Sequence, residues 1–207
     1  LKEEGISTLA PRKIWFDDTV KRLNADGRGE LLGAFKGSDK ILTINDKGEA
    51  KLTTFDLSNR YDDELLIIEK WNPEKPVSCI YYDADKERYF VKRFTLEDTL
   101  NPQPFYFSEN SNSFIELVTT QPKPVVDLVF SKVKGIEREP EAVNLEEFIS
   151  VKGIKAQGNQ LTTYKVKQIN LQPAVEEPEE ETQPENPDNE EPDEMEGIAG
   201  EQGSLFD

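Results

Sequence analysis

Ile41-Leu42-Thr43-Ile44-Asn45-Asp46-Lys47-Gly48-Glu49-Ala50-Lys51-Leu52-Thr53-Thr54-Phe55-Asp56-Leu57 aligns without a gap on Ile80-Tyr81-Tyr82-Asp83-Ala84-Asp85-Lys86-Glu87-Arg88-Tyr89-Phe90-Val91-Lys92-Arg93-Phe94-Thr95-Leu96, at an offset of thirty-nine residues. Ile41 meets Ile80, Asp46-Lys47 meets Asp85-Lys86, Phe55 meets Phe94 and Leu57 meets Leu96. Each copy reads as an apolar strand, a charged turn, a second strand and an aromatic-x-Leu ending. Gly48 marks the first copy as a hairpin, because glycine supplies the positive φ that a tight turn between paired strands needs. A hairpin of this size cannot cover its own apolar face. Repeats with a period of roughly 40 residues are the mark of bladed or solenoid folds, in which neighbours complete each other's core.

Outward from this repeat the same texture fills the chain. Residues 13–16, 20–23, 30–35, 41–44, 50–55 and 65–71, and then 77–82, 88–94, 114–119, 125–133, 148–154 and 161–169, are short runs of β-branched, aromatic and aliphatic side chains. Turn chemistry separates them, as at Asp17-Asp18, Asp26-Gly27-Arg28-Gly29 and Gly37-Ser38-Asp39. Asn72-Pro73-Glu74-Lys75-Pro76 and Gln121-Pro122-Lys123-Pro124 read as connectors, since proline stops strand pairing. The one helix expected is short, over 143–148, with a turn as the equal alternative. The fold predicted is all-β: a propeller-like array of about three four-stranded units, 11–71, 72–120 and 121–171, the third the loosest match. Three units do not close a ring, so the array is expected to be open or to continue upstream.

Charge divides the chain differently. Of 42 acidic residues, fourteen lie between Gln172 and Asp207, where there is no Lys or Arg. The remainder holds 28 acids against 25 bases and is nearly neutral. A segment with that charge, many prolines and five large apolar side chains cannot recover its ordering entropy by burial, so 172–207 is predicted to be a disordered acidic tail. The preceding ~170 residues suffice for one domain with a core. There is no histidine, which removes the commonest general base and zinc ligand. The single cysteine, Cys79, sits in an apolar run and reads as a small core residue. No stretch has the apolar length that spans a bilayer, and no secretion signal is visible. The chain begins at Leu1, not Met, and is expected to be a piece of a longer cytoplasmic protein.

Several motifs together carry a resemblance. They are Arg12-Lys13-Ile14-Trp15-Phe16-Asp17, Lys70-Trp71-Asn72-Pro73-Glu74-Lys75-Pro76, Tyr89-Phe90-Val91-Lys92-Arg93-Phe94, and Val151-Lys152-Gly153-Ile154-Lys155-Ala156-Gln157-Gly158-Asn159-Gln160-Leu161. With the blade pattern, they make the chain similar to the C-terminal region of the A-type (DNA-cleaving) component of bacterial type IIA DNA topoisomerases, in its Bacteroidetes form. The resemblance implies a β-pinwheel of Greek-key blades that binds and bends duplex DNA as an accessory to the cleavage core. It implies an ATP-dependent isomerase as the holoenzyme, with ATP and magnesium used elsewhere and no cofactor in this fragment. It also implies two protein partners, the B-type topoisomerase component and a second copy of the A-type one, joined through the missing N-terminal core, and a nucleoid-associated location. Gyrase carries a Gln-Arg-Arg-Gly-Gly-Lys-Gly box that closes the disc, and here only degenerate counterparts occur, at Asp26-Gly27-Arg28-Gly29 and at 152–158. The expectation is therefore relaxation and decatenation, as in topoisomerase IV, without chiral wrapping.

Arg88-Tyr89 matches the Arg-Tyr pair of the family's nucleophile, but it falls in a repeat strand and reads as a blade position. Asp17-Asp18 and Asp62-Asp63-Glu64 read as solvated turns, so no catalytic or metal residue is expected. Duplex binding needs cations that reach phosphates. The candidates are Lys36, Lys40, Lys47, Lys51, Lys86, Arg88, Lys92, Arg93, Lys132, Lys134, Lys152, Lys155, Lys165 and Lys167. Strand alternation would put Lys165 and Lys167 on one face, and Lys92 and Arg93 on opposite faces. The alternative function is a protein-interaction scaffold of the same architecture without DNA binding. At the chain end, Gln202, Ser204, Leu205 and Phe206 resemble the short peptide by which bacterial replication proteins dock on the sliding clamp, a further candidate partner.

Overall fold

The computed structural model describes residues 10–105 and 107–174. The candidate clamp peptide Gln202, Ser204, Leu205 and Phe206 and most of the acidic tail lie outside them. The described chain is almost entirely antiparallel β-structure, in four small sheets. The first sheet is built from β1 (Arg12–Asp17), β2 (Arg22–Asn24) and β3 (Glu30–Phe35), in the order β2-β1-β3. The second contains β4 (Ile41–Asn45), β5 (Glu49–Thr53), β6 (Leu65–Lys70) and β9 (Gln103–Pro104), in the order β6-β4-β5-β9. The third runs β10-β7-β8-β13, from β7 (Val77–Asp83), β8 (Arg88–Phe94), β10 (Phe114–Thr119) and β13 (Asn159–Gln160). The fourth runs β12-β11-β14, from β11 (Val125–Phe130), β12 (Glu141–Asn144) and β14 (Val166–Leu171).

One rule generates all four. Within each sheet the first strand is central, its hairpin partner lies on one side and the third strand lies on the other. A fourth segment is then borrowed from the next unit of the chain, from the connector between that unit's second and third strands. β9 leaves the 95–113 connector to pair with β5, and β13 leaves the 145–165 connector to pair with β8. In the first sheet the borrowed piece is a bridge, Arg22 to Arg60. The borrowed segment ends each time on a buried apolar anchor whose N–H is donated across the edge. Tyr61 N donates to Lys21 O (3.0 Å), Phe105 N to Gly48 O (2.8 Å) and Leu161 N to Tyr89 O (2.8 Å).

The cores lie between consecutive sheets. Ile14, Phe16, Leu23 and Phe35 of the first sheet meet Ile41 of the second around Tyr61. Leu42, Ile44, Ala50 and Leu52 meet Val77, Cys79 and Phe94 around Phe105. Ile80 and Val91 meet Val126, Leu128, Phe130, Leu145 and Ile149 around Leu161. Each anchor thus joins the core that its own connector helps to close, and burying one such side chain contributes about 2 kcal/mol.

The sheet count departs from the three units expected. Residues 11–71 contain one whole sheet and three strands of another, because 12–35, which has no close sequence copy, folds as its own sheet. The borrowed strands are two residues long and carry no periodicity to read. Residues 148–154 are not a strand. Ile149 plugs the third core and the rest is a connector with exposed Val151. The expected helix is α1 (Leu145–Phe148), and Asn144 caps it by accepting from the N–H groups of Glu146 and Glu147. The strand β12 just before it carries no readable signal, because Glu141-Ala142-Val143 lacks alternation. The two repeat hairpins also differ. The pairs Ile44↔Ala50 and Asp83↔Arg88 enclose odd and even numbers of residues, so the thirty-nine-residue offset holds on the second strands and slips by one on the first.

Candidate nucleic-acid interface

The fourteen candidate cations fall into three groups once folded. Lys92 and Arg93 are buried, 1% and 5% exposed, and neither can reach a phosphate; this corrects their assignment as DNA contacts. Lys92 Nζ donates to Ile154 O at 2.7 Å and lies over the Phe94 and Phe105 rings at 5.3 and 5.4 Å. Burial lowers its amine to about 8, a shift opposed by the nearby Cys79 sulfur. Arg93 donates to Ser78 Oγ (3.2 Å) and to Ile149 O (3.3 Å), and its own carbonyl accepts from Lys152 N (2.9 Å). Both side chains therefore rivet the 145–165 connector to the third sheet. Tyr81 Oη adds a bond to Gln157 O at 2.7 Å. The second degenerate box, 152–158, is part of this connector and joins the fourth unit to its neighbour.

A second group is paired with carboxylates: Lys40 with Asp98, Lys47 with Glu64 (3.1 Å), Lys86 with Asp83 (3.1 Å) and Lys132 with Glu137 (3.6 Å). Lys40 also covers the Trp71 ring and Lys86 the Phe90 ring. Glu64 raises the Lys47 amine above its ordinary value by hydrogen bond and charge. The exposed pairs Lys47–Glu64 and Lys132–Glu137 are exchangeable for phosphate at little cost, since such bridges contribute about 0–1 kcal/mol.

The third group, Lys36, Lys51, Arg88, Lys134, Lys152, Lys155, Lys165 and Lys167, is exposed and makes no ion pair among the described residues. Four of the fourteen gather at one end of the fourth sheet. Lys165 O accepts from Ser131 N (2.8 Å), beside Lys132 and Lys134, and Lys167 lies at the start of β14 just after Val166. A bulge interrupts the alternation there: Val129 pairs with Gln168 and Phe130 with Val166, so Lys167 is the extra residue. Both lysines are nonetheless exposed.

Sequence reasoning missed Arg138 at this end. Its guanidinium stacks 3.3 Å from the Tyr164 ring centroid and 5.6 Å from that of Phe130, and Phe130 and Tyr164 meet edge to face at 5.8 Å. The contact joins residues far apart in sequence, so no local signal reports it. A guanidinium held flat on an aromatic face keeps planar donors that suit phosphate oxygens. A second, smaller cluster has Lys152 and Lys155 beside Thr95, Leu96, Glu97 and Pro102, lining a groove of about 580 Å³.

The residues weighed for catalysis have structural places. Tyr89 packs against Tyr82 and Phe114, and burial raises its phenol above the ordinary value, away from a phenolate nucleophile. Arg88 donates to the carbonyl of Glu87. Asp17 accepts from Thr19 N in a turn, and Asp62, Asp63 and Glu64 are exposed. Cys79 is fully buried, with its thiol pushed up to about 12. Among the described residues no group of three or more His, Cys, Asp or Glu is placed to hold a metal, and no helix is long and apolar enough to cross a membrane.

Strand-exchanged antiparallel sheets in series define a blade-type β-pinwheel domain. The family model of the topoisomerase C-terminal domain of Bacteroidota matches residues 22–173, from β2 to just past β14, and the chain belongs to that family. No curated protein matches the chain.

Proposed function

We propose that this domain binds duplex DNA without sequence preference and positions it for strand passage, relaxation and decatenation by a type IIA topoisomerase of the topoisomerase IV kind. Membership in a topoisomerase C-terminal family carries the reading. The cation cluster at the end of the fourth sheet supports it and supplies a surface: Lys132, Lys134, Arg138, Lys165 and Lys167 around Tyr164. Lys152 and Lys155 extend the same chemistry to the connector, while Lys36, Lys51 and Arg88 stand on other sheets. Because the body is close to neutral, affinity comes from local placement of cations and not from a long-range field.

A salt series tests the reading. Binding of the 207-residue chain to a duplex of about 40 base pairs should weaken linearly on a log-log plot against salt, with a slope of about −0.9 per phosphate contact. An affinity that is undetectable at low salt, or that ignores salt, would replace this function with that of a protein-interaction scaffold.

A further inference from the structure

β11 ends at Phe130, and the chain then doubles back in a small hairpin outside the four sheets. Val133 N donates to Ile136 O (3.1 Å) and Ile136 N to Val133 O (2.9 Å), so the two residues exchange both backbone bonds around a loop of two. The loop residues, Lys134 and Gly135, have φ of +49° and +79°, the pair of positive angles that a type I′ turn requires. The tip is therefore a defined shape and not a slack loop. Its apolar side chains face water. Ile136 is 74% exposed, against 43–50% for every other exposed large apolar residue among those described, and Val133 is 49% exposed. As directly opposed partners the two lie on one face of the ribbon. Single apolar residues on a surface are ordinary, but a pair held at the tip of a tight turn gains little from the fold that presents it.

The surroundings select the partner. Lys132 and Lys134 flank Val133 in the chain, Arg138 follows Ile136 by two residues, and at the base Ser131 N donates to the carbonyl of Lys165, close in sequence to Lys167. Arg138 is stacked on Tyr164, 3.3 Å from the ring centroid, which ties one leg of the hairpin to the sheet. Of the two carboxylates in the segment, Glu137 is taken by Lys132 (3.6 Å) and Glu139 lies beyond Arg138. Cations around an apolar tip suit a partner that is anionic outside and apolar within, as a duplex is with its phosphates and stacked bases. An anionic bilayer shares that description, and membership in a topoisomerase C-terminal family decides for the duplex. Resting on the DNA-binding reading above, we propose that Ile136 and Val133 form a wedge that enters a base step from the minor groove, unstacks it in part and bends the duplex, while the cations hold the phosphates on either side. Unstacking costs least at flexible or mismatched steps, so a domain that reads no base edges gains a preference for deformable DNA.

The test uses the full 207-residue chain and duplexes of about 25 base pairs with a fluorophore pair at their ends, one fully paired and one with a central mismatch. Binding should raise energy transfer between the ends, and the mismatched duplex should bind about fivefold tighter. Ile136→Ser/Val133→Ser changes no charge. It should keep the thermal midpoint and the log-log salt slope, and abolish both the rise in transfer and the mismatch preference. Ile136→Leu keeps an apolar wedge and should retain both. Should the double substitution disturb the hairpin, Ile136→Ser alone gives the second reading, at the most exposed of these apolar sites. Salt-dependent binding without a bend, or a bend and preference that survive Ile136→Ser/Val133→Ser, would overturn the wedge and leave the phosphate surface standing. No binding of either duplex at low salt would overturn both. Sedimentation with phosphatidylglycerol vesicles in place of duplex binding, lost in Ile136→Ser, would overturn the wedge by assigning the tip to a membrane surface. A concentration-dependent dimer lost in the same variant would assign it to a second copy.

Discussion

Lys92-Arg93 and Lys165-Val166-Lys167 look alike as basic spots on β-strands, and the fold sends them to opposite ends of the solvent scale. The first pair sits in the central hairpin of the third sheet, where a neighbouring unit's connector passes over it. The second sits at and just before β14, which among the described residues has sheet on one side only, and its lysines stay exposed. What separates them is not local sequence but whether a later segment of chain crosses above. A buried cation is tolerated when its donors are occupied, and here two carbonyls of the crossing connector and the Ser78 hydroxyl of the same sheet take them up. Basic residues in this architecture therefore have two fates, binding the blades to one another or staying open to solvent, where the proposed DNA contacts lie, and the exchange topology decides which.

The sharpest break of the comparison comes at the connector itself. Gly158 has φ +90°, and a Cβ there would lie 2.2 Å from the carbonyl oxygen of Val91, the partner of β13. Gly158→Ala should cost about 3 kcal/mol or more, read as a lower urea midpoint, because both the left-handed backbone and the contact forbid a side chain. Gly153, earlier in the same connector, has nothing within 4 Å of a built Cβ. Gly153→Ala should stay within about 0.5 kcal/mol of the parent. Equal midpoints for the two variants would mean that the connector does not hold the third and fourth units together.

Next in size is Arg93→Ala. It leaves Ser78 and the Ile149 carbonyl without their donor and opens a cavity, so a loss of about 2–3 kcal/mol is expected by chemical denaturation. Lys165→Glu/Lys167→Glu should do the reverse of this. The thermal midpoint should stay within a degree or two of the parent, while duplex affinity falls and the log-log salt slope loses about two units. A destabilised Lys165→Glu/Lys167→Glu variant, or an Arg93→Ala variant that loses DNA binding at full stability, would erase the distinction between the two pairs.

How much of the fold is legible in the sequence follows from the same physics. The hairpins announce themselves through Gly48 and the Asp46-Lys47 and Asp85-Lys86 turns, because a turn's demands are local. The all-β class and the need for neighbours follow from the repeat. The borrowed strands are not legible, since Gln103-Pro104 and Asn159-Gln160 are too short to show a period and one of them contains proline. The burial of Lys92 is hidden for a related reason. Val91, Lys92, Arg93 and Phe94 are all buried, so alternation, which assumes one wet face, cannot tell which side chain is dry. Arg138 requires contact with Tyr164 across a sheet, which only the fold provides.

The smallest effect expected belongs to Lys92, and it is a matter of pH. Burial lowers its amine to about 8 in the folded chain from an ordinary 10.5. Below about 8 both folded and unfolded chains hold the proton, and the native state bears the whole cost of the buried charge. Between about 8 and 10.5 the unfolded chain binds more protons than the folded one, so stability attributable to this group rises with pH across that window. Neighbouring groups add their own slopes to the absolute curve: Tyr61 and Tyr89 are raised by burial and Cys79 to about 12, and they lower stability as their unfolded forms ionise. Lys92→Met keeps length and removes the titration, so the difference between parent and variant isolates it. Urea midpoints measured at about pH 7.5, 8.5, 9.5 and 10.2 should show the parent gaining on the variant by on the order of 1–2 kcal/mol between the ends of the series. A difference that is flat with pH would mean that Lys92 remains charged throughout the window, held by the Ile154 carbonyl and the Phe94 and Phe105 rings. It would then be a permanent cationic rivet between units, and the contrast with Lys165 and Lys167 would rest on location alone.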